Sequence, residues 1–585
     1  MDAAATRCTI SAVQKAFNVI SILHLTSYAL PDNDNDNDFP KFDFVVVGGG
    51  TAGSVVSARL AEDKKTQVLL IEAGGDPPVE SSIPSILVYL TNSSVDWGYK
   101  AIDKSTTKGC KRSRNVGLAL GRMLGGSTGT NYMLYGEGNR RQYNKWAKIV
   151  NDSSWDAEHL LPYFKKTQNI QNTKILNSCE EDFFGYDGPF KVTIENRFPV
   201  QEYLKAQKEL GNMVVPAFTL NKTIGYSPAM YSIGCGLRQD TAYAYLTPIK
   251  DYPNLYVLKH ALVTKILFDS HKNAIAVNVL IKNKIRTIRA SKEIIISAGT
   301  VNTPKLLMLS GIGPKKHLKK KGVDLVYDLP VGRKLQSLSS TTIIFNMKNT
   351  NIMDTDKNPK EFPAVSYIGY VALNKSQCYA DYQSLSFINY ASDQIRYCTQ
   401  IYEFPDRICN KFFGPYCNVK GYDENQMVFN LVTDLHPKSR GKVLLRSNHY
   451  KDPPLVYVRY LTEESEVDNM VKYIKDYLKV LDTKTFKSLG AELVDPEIEC
   501  CKDLKLGSDK YWKCYVKCLS AIRHYDCGTC AMGSVVNKRL KVYGVKKLRV
   551  VDASVVPVIP DGVLTSAVLV IAEKAADMIK EDHNL

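Results

Sequence analysis

The stretch Phe42 to Asp76, FDFVVVGGGTAGSVVSARLAEDKKTQVLLIEAGGD, constrains the fold more than any other part of the chain. Phe42 to Val47 is a β-branched and aromatic run with no charge after Asp43, as expected of a parallel strand covered on both faces. Gly48, Gly50 and Gly53 then supply G-x-G-x-x-G. The first glycine permits a tight turn, the second lets backbone approach a pyrophosphate, and the third lets the following helix lie close on the strand. Gln67 to Ile71 reads as the second strand and ends in Glu72. An acid about 20 residues beyond the glycines is placed to meet a ribose hydroxyl. Strand, turn, helix and acid occur in the right order, so a dinucleotide is expected with its phosphates on the helix N-terminus.

At 585 residues the chain exceeds what one core usually serves, and two domains are expected. The net charge of +16 is spread along the chain. Its densest cluster, Lys315 to Lys321, punctuates a helix and reads as a solvated face, so no nucleic-acid partner is expected. The partner expected is a small-molecule substrate; oligomeric state is left open by the sequence.

Arg7, Lys15, the apolar run Ala16 to Leu25 and the small residues through Ala29 form a secretory signal, expected over residues 1–29. Residues 30–40 are a polar, low-complexity leader. Sequons at Asn92, Asn151, Asn221 and Asn374 and a total of 14 cysteines fit an exported, glycosylated, disulfide-bonded protein. No other apolar run is long enough to span a bilayer. Cys527 and Cys530 form C-x-x-C, but nothing nearby completes a tetrahedral set, so no metal is expected. Tyr132 and Tyr135 read as packing residues.

A second glycine-rich stretch, GRMLGGSTGTNYMLYGEGN from Gly121 to Asn139, would let backbone lie flat against a large planar ligand. It resembles the first signature of the glucose-methanol-choline (GMC) oxidoreductases, flavoproteins that hold FAD. Residues 298–314, AGTVNTPKLLMLSGIGP, resemble the second signature, and LRVVDAS from Leu548 to Ser554 resembles the family's C-terminal return. The likeness runs from about residue 40 to the end and is nearest to the insect branch. It implies an α/β (α+β) fold of two discontinuous domains. A Rossmann-like FAD-binding domain would comprise 41–190, 251–334 and 546–585. A substrate domain built on an antiparallel sheet would comprise 191–250 and 335–545, with strands expected at Gln426 to Thr433 and Gly441 to Leu445. The resemblance further implies FAD contacts from Gly48, Gly50, Thr51, Ala52, Gly53, Glu72 and Ala73 on the dinucleotide unit. It adds Trp97, Gly121, Arg122, Gly126, Asn131 and Met133 along the cofactor, Val263 at adenine, and Ala298, Asp552 and Ala553.

The chain departs from the family pattern at its catalytic positions. The family's base, a histidine three residues before the glycine of G-T-C-x-M-G, is replaced in RHYDCGTCAMG by Tyr525, with His524 one residue out of register. A one-residue shift in an extended strand turns a side chain to the opposite face unless a bulge intervenes. The second partner, a histidine or asparagine, is replaced by Val563. The family's Q-D-H reads Gln336, Ser337, Leu338. Alcohol oxidation takes a hydride from carbon only as the hydroxyl proton leaves, so a positioned base carries much of the rate. A tyrosine, with a reference pKa of about 10, is a poor one. FAD motifs beside altered catalytic positions point to a redox-neutral enzyme. The expected reaction is isomerisation of a small unsaturated aldehyde of the (3Z)- to (2E)-hexenal type, with Tyr525 or His524 moving the proton and Val563 lining an apolar slot. The alternatives are an FAD-dependent alcohol oxidase or dehydrogenase and a fatty-acid hydroperoxide dehydratase.

Overall fold

The computed structural model describes residues 39, 41–103, 110, 115–170, 172, 175, 181–349, 365–417 and 426–585. The expected signal segment 1–29, and all of the leader except Phe39, lie outside them.

The first strand, Phe42–Val47, lies between Val68–Ile71 and the second half of the long strand Lys284–Ile296, parallel to both. Leu255–Leu258 extends this parallel sheet at one edge, and Leu548–Val550 extends it at the other. Phe44, Val45 and Val46 are fully buried, which is why the run carries no alternation. The first half of Lys284–Ile296 turns antiparallel to Ala274–Ile281, which in turn pairs with Leu262–Phe268. One strand therefore ties the dinucleotide sheet to a three-stranded meander.

The helix Thr51–Ala61 covers one face, with the C-terminal helix Leu564–His583 packed across it. Their contact is pinned by Arg59, whose Nε and Nη2 each donate to Glu573 at 2.8 Å. Glu573 has no exposed surface and also accepts from the Tyr245 hydroxyl at 3.0 Å, so the buried carboxylate is fully engaged.

A seven-stranded antiparallel sheet forms the second layer. Its order is Ala491–Leu493, Ser339–Met347, Gln426–Asp434, Tyr382–Tyr390, Val365–Val371, Gly225–Pro228, and Ser520–Ile522 pairs with the start of Ser339–Met347. Every residue of Ser339–Met347 and Gln426–Asp434 is buried, because the helices Glu464–Leu478 and Asp509–Leu519 cover the far side of the sheet. The strand expected at Gly441 to Leu445 forms, as Lys442–Leu444, but not in this sheet. It pairs with Leu455–Tyr457, which runs parallel to Lys100–Ile102, in a separate four-stranded sheet completed by Asn115–Gly117. Alternation marks a strand and not its partner, and here a nearby hairpin partner and, beyond it, a segment from the chain's first quarter build the sheet.

Disulfides join Cys110 to Cys518, Cys398 to Cys409, and Cys501 to Cys514. Lys315–Lys320 is a short helix that buries Leu318 and exposes Lys315, Lys316, Lys319 and Lys320. Among the described residues no helix is long and apolar enough to cross a membrane.

Candidate FAD and substrate site

One elongated cavity of about 620 Å³ runs between the two sheets, from Glu72 and Val263 at one end to His524, Tyr525 and Val563 at the other. Its floor is glycine backbone. Gly48 has φ +101, and a Cβ there would stand 2.5 Å from the Ser297 carbonyl oxygen. A Cβ on Gly126 (φ +53) would stand 2.6 Å from the Gly50 Cα, so the two glycine-rich stretches touch backbone to backbone. The N–H of Gly125 donates to the Gly49 carbonyl at 2.8 Å and locks that contact. The helix Thr51–Ala61 begins at Gly50 with no side-chain cap, leaving its first N–H groups for an anion. Gly50, Thr51 and Ala52 line the cavity at that point.

Glu72 is 6% exposed and accepts from the N–H of Gly49 at 2.8 Å and of Gly74 at 2.7 Å. Burial pushes its carboxyl up to about 7, against the pull of those two donors. Ala73, Val263 and Ala298 complete the wall at this end. Asp552 and Ala553 line the middle. The Asp552 carboxylate accepts from the Gly299 N–H (2.9 Å), the Thr303 hydroxyl (2.5 Å) and the Ser554 N–H (2.8 Å). It thereby braces the start of the helix Gly299–Leu309 against the returning chain. Trp97 stacks on Tyr99 at 5.5 Å, with the Arg122 guanidinium 5.2 Å from its ring, and Gly121 lies alongside.

Two expected contacts do not reach the cavity wall. Gly53 sits beneath the turn, where a Cβ would stand 1.8 Å from the Gly48 oxygen, so its role is in seating the helix. Met133 is fully buried with φ +58, its N–H held by the Asn131 side chain at 2.9 Å, and it supports the loop from behind. Asn131 itself lines the cavity and donates to the Thr565 hydroxyl at 3.3 Å.

The clamp on this loop is Arg238, which has no counterpart among the sequence expectations. Its buried guanidinium donates to the carbonyls of Ser81 (2.6 Å), Thr128 (3.2 Å) and Asn131 (2.7 Å), and burial lowers its pKa to about 10. A buried arginine looks like a surface one in a single sequence, so no local signal marks it.

At the far end, Ser520–Ile522 delivers Arg523, His524 and Tyr525 to the wall. His524 has φ +55. That left-handed residue breaks strand alternation, so His524 and Tyr525 both line the cavity instead of facing opposite ways. Asp526 follows, its carboxyl pushed up to about 6 by burial. Val563 is 3% exposed and forms apolar wall at the start of the C-terminal helix. Tyr132 lines the cavity too, correcting its reading as a packing residue, whereas the Tyr135 hydroxyl accepts from Gln168 at 2.9 Å in the interior. Cys527 and Cys530 are buried and not bonded to each other.

These features fit FAD. The glycine pair would admit a pyrophosphate where any Cβ on Gly126 would collide, the uncapped helix N-terminus would face it, and the long cavity has room for a planar ring beside His524 and Tyr525.

Comparison with known proteins agrees. The family model described as GMC oxidoreductase matches in two parts, over residues 42–338 and 437–572. Ecdysone oxidase of Bombyx mori is 36% identical over 566 residues, covering 93% of this chain and 82% of that protein. Glucose dehydrogenase [FAD, quinone] of Drosophila melanogaster is 32% identical, covering 92% and 87%. Among solved structures, formate oxidase of Aspergillus oryzae aligns with a TM-score of 0.80 at 25% identity, covering 93% of this chain and 99% of that one.

Proposed function

The chain belongs to the GMC oxidoreductase family, and we propose that it oxidises an alcohol at a CH–OH carbon, with His524 as the base. Its cofactor is FAD, which when bound supplies the two-electron acceptor. The observation that carries the reading is the left-handed turn at His524, which sets an imidazole in the wall although the family's histidine position holds Tyr525. An imidazole nitrogen can take the hydroxyl proton as a general base. The Tyr525 hydroxyl is the donor that holds the substrate oxygen as its proton leaves. Val563 offers neither donor nor acceptor and selects for an apolar substituent on the carbinol carbon.

This reading replaces isomerisation as the favoured one, because relatives that match over nine-tenths of the chain are named oxidases and dehydrogenases. Val563 favours one second reading: a base, a donor and a dry apolar wall also suit a proton shift along an unsaturated aldehyde. Turnover of a panel of alcohols with an artificial electron acceptor tests the proposal. His524→Ala should lower kcat/KM by roughly 10²- to 10⁴-fold. Conversion of (3Z)-hexenal to (2E)-hexenal with no acceptor reduced, and no alcohol oxidised, contradicts it.

We also infer export. The four sequon asparagines are all exposed and three disulfides form, as an oxidising compartment allows.

A further inference from the structure

Arg523 differs from the other cations on the cavity wall. Arg122 and Lys451 are solvent-exposed, and Lys305 donates to the Tyr450 carbonyl at 2.7 Å. Arg523 is part-buried at the substrate end. Its Nη2 donates to Gln383 Oε1 at 3.2 Å, and Gln383 is oriented for this by donating its own Nε2 to the Tyr370 hydroxyl at 3.0 Å. The Nε is buried with no hydrogen bond, and no carboxylate among the described residues pairs with the guanidinium. Its surroundings are aromatic: the Tyr525 ring centroid lies 5.4 Å away, and its charge reaches Tyr132, Tyr370 and Tyr402. The Tyr132 hydroxyl, on the same wall, is also buried without a partner. Besides Glu72 and Asp552, placed at the other end and in the middle, two acids share the wall. Glu403 is engaged by the Gly117 N–H at 3.3 Å, and Asp526 is buried beyond Tyr525. A part-buried cation with unused donors, beside an unused phenol, is costly unless an anion arrives.

We propose that Arg523, with the Tyr132 hydroxyl, receives a carboxylate carried by the substrate, so that the alcohol oxidised here is a short hydroxy acid. The inference rests on the alcohol-oxidation reading above and names its substrate class. Arg523 directly precedes His524, which puts the carboxylate within a few bonds of the reacting carbon. Phe387, Ile401, Ile522 and Val563 line the remaining wall and suit an aliphatic tail. The reaction balances as the loss of two electrons and two protons from the CH–OH group, FAD being the acceptor and the product an oxo acid.

The test is calorimetric binding of 2-hydroxy-2-methylhexanoate and of its amide to the FAD-loaded protein. This probe has no hydrogen on its carbinol carbon, so binding is read whether or not the protein oxidises alcohols. The acid is expected to bind roughly 10- to 100-fold more tightly than the amide, as a charge-assisted pair implies. Arg523→Gln should erase that preference, weakening the acid far more than the amide, with the flavin spectrum reporting that FAD stays bound. Tyr132→Phe should reduce it by a smaller factor. Equal binding of acid and amide to the wild-type protein overturns the proposal by itself, even if Arg523→Gln fails to fold. A preference that survives Arg523→Gln overturns it as well. If the acid preference holds but neither 2-hydroxyhexanoate nor any alcohol of the panel reduces an acceptor, the carboxylate site stands and the alcohol-oxidation reading fails.

Discussion

Gly50 and Gly53 lie three residues apart in one motif, yet the structure assigns them different work, and a pair of alanine substitutions separates it. At Gly53 the added methyl carbon would stand 1.8 Å from the Gly48 carbonyl oxygen and 3.2 Å from the Ser297 Cβ. An ordinary carbon–oxygen approach is roughly 3.3 Å, so the helix must lift off the strand by more than an ångström. Adding a methylene to a packed core costs about 1–3 kcal/mol. Here the opposing atom is backbone that cannot rotate away, which places Gly53→Ala at or above the top of that range. At Gly50 the methyl would meet only the Gly126 Cα, at 3.6 Å, an ordinary contact. The change at this helix cap should leave the cofactor-free protein within about 1 kcal/mol of wild type. The methyl nevertheless enters the cavity where a pyrophosphate must approach. A ligand present at a thousand times its Kd stabilises the native state by about 4 kcal/mol, and Gly50→Ala should forfeit most of that. The assay is thermal unfolding of each variant, stripped of FAD and reloaded, with flavin occupancy read from visible absorbance. Gly50→Ala should melt like wild type when stripped and gain little on loading, while Gly53→Ala should melt low in both states. A Gly50→Ala protein that is fully yellow, or a stripped Gly53→Ala protein as stable as wild type, refutes the division of roles.

Burial lifts Glu72 to about 7 from an unfolded value of about 4.3, so the native state holds an extra proton between those values. Stability of the FAD-free protein should therefore fall as pH rises from about 4.5 to 7, by up to about 3 kcal/mol from this group, and denaturant titrations should show a shallower slope for Glu72→Gln. The Cys110–Cys518 bond closes the longest loop, with a sequence separation of 408. Cys518→Ser should cost about 2–5 kcal/mol, and non-reducing peptide mapping should recover the linked pair from wild type. Secreted material should lose mass on enzymatic removal of N-glycans, with its new N-terminus close to residue 30; an unshifted mass would count against export.

The dinucleotide unit was legible in sequence because its physics is local. A buried parallel strand leaves an unbroken apolar run, and the turn demands glycine at Gly48. The second glycine stretch was legible for the same reason, since Gly126 meets Gly50 with no room for a side chain. The catalytic end was legible only in part. His524, Tyr525 and Val563 were singled out and all line the cavity, but left-handed backbone at a histidine leaves no mark in the sequence, so whether His524 faces it beside Tyr525 was left open. Tyr132 was read as packing, and Arg238 was missed, because burial and pairing with distant carbonyls arise from segments far apart in the chain. Arg238 lies over a hundred residues from the Thr128 and Asn131 carbonyls that it holds. The strand at Lys442–Leu444 was placed correctly along the chain and in the wrong sheet, because nothing in its own residues names Leu455–Tyr457 as its neighbour.

Alcohol oxidation is proposed to survive the replacement of the usual histidine because His524 turns into the same cavity. Anaerobic mixing of the FAD-loaded protein with a panel of primary alcohols, secondary alcohols and hydroxy acids tests it most directly, with the flavin absorbance followed in time. At least one substrate should bleach the yellow colour of the wild-type protein, and His524→Ala, with FAD fully bound, should bleach slower by roughly two orders of magnitude or more. Persistent yellow colour with every alcohol, while (3Z)-hexenal is converted to its conjugated isomer, would show a proton shift in place of alcohol oxidation.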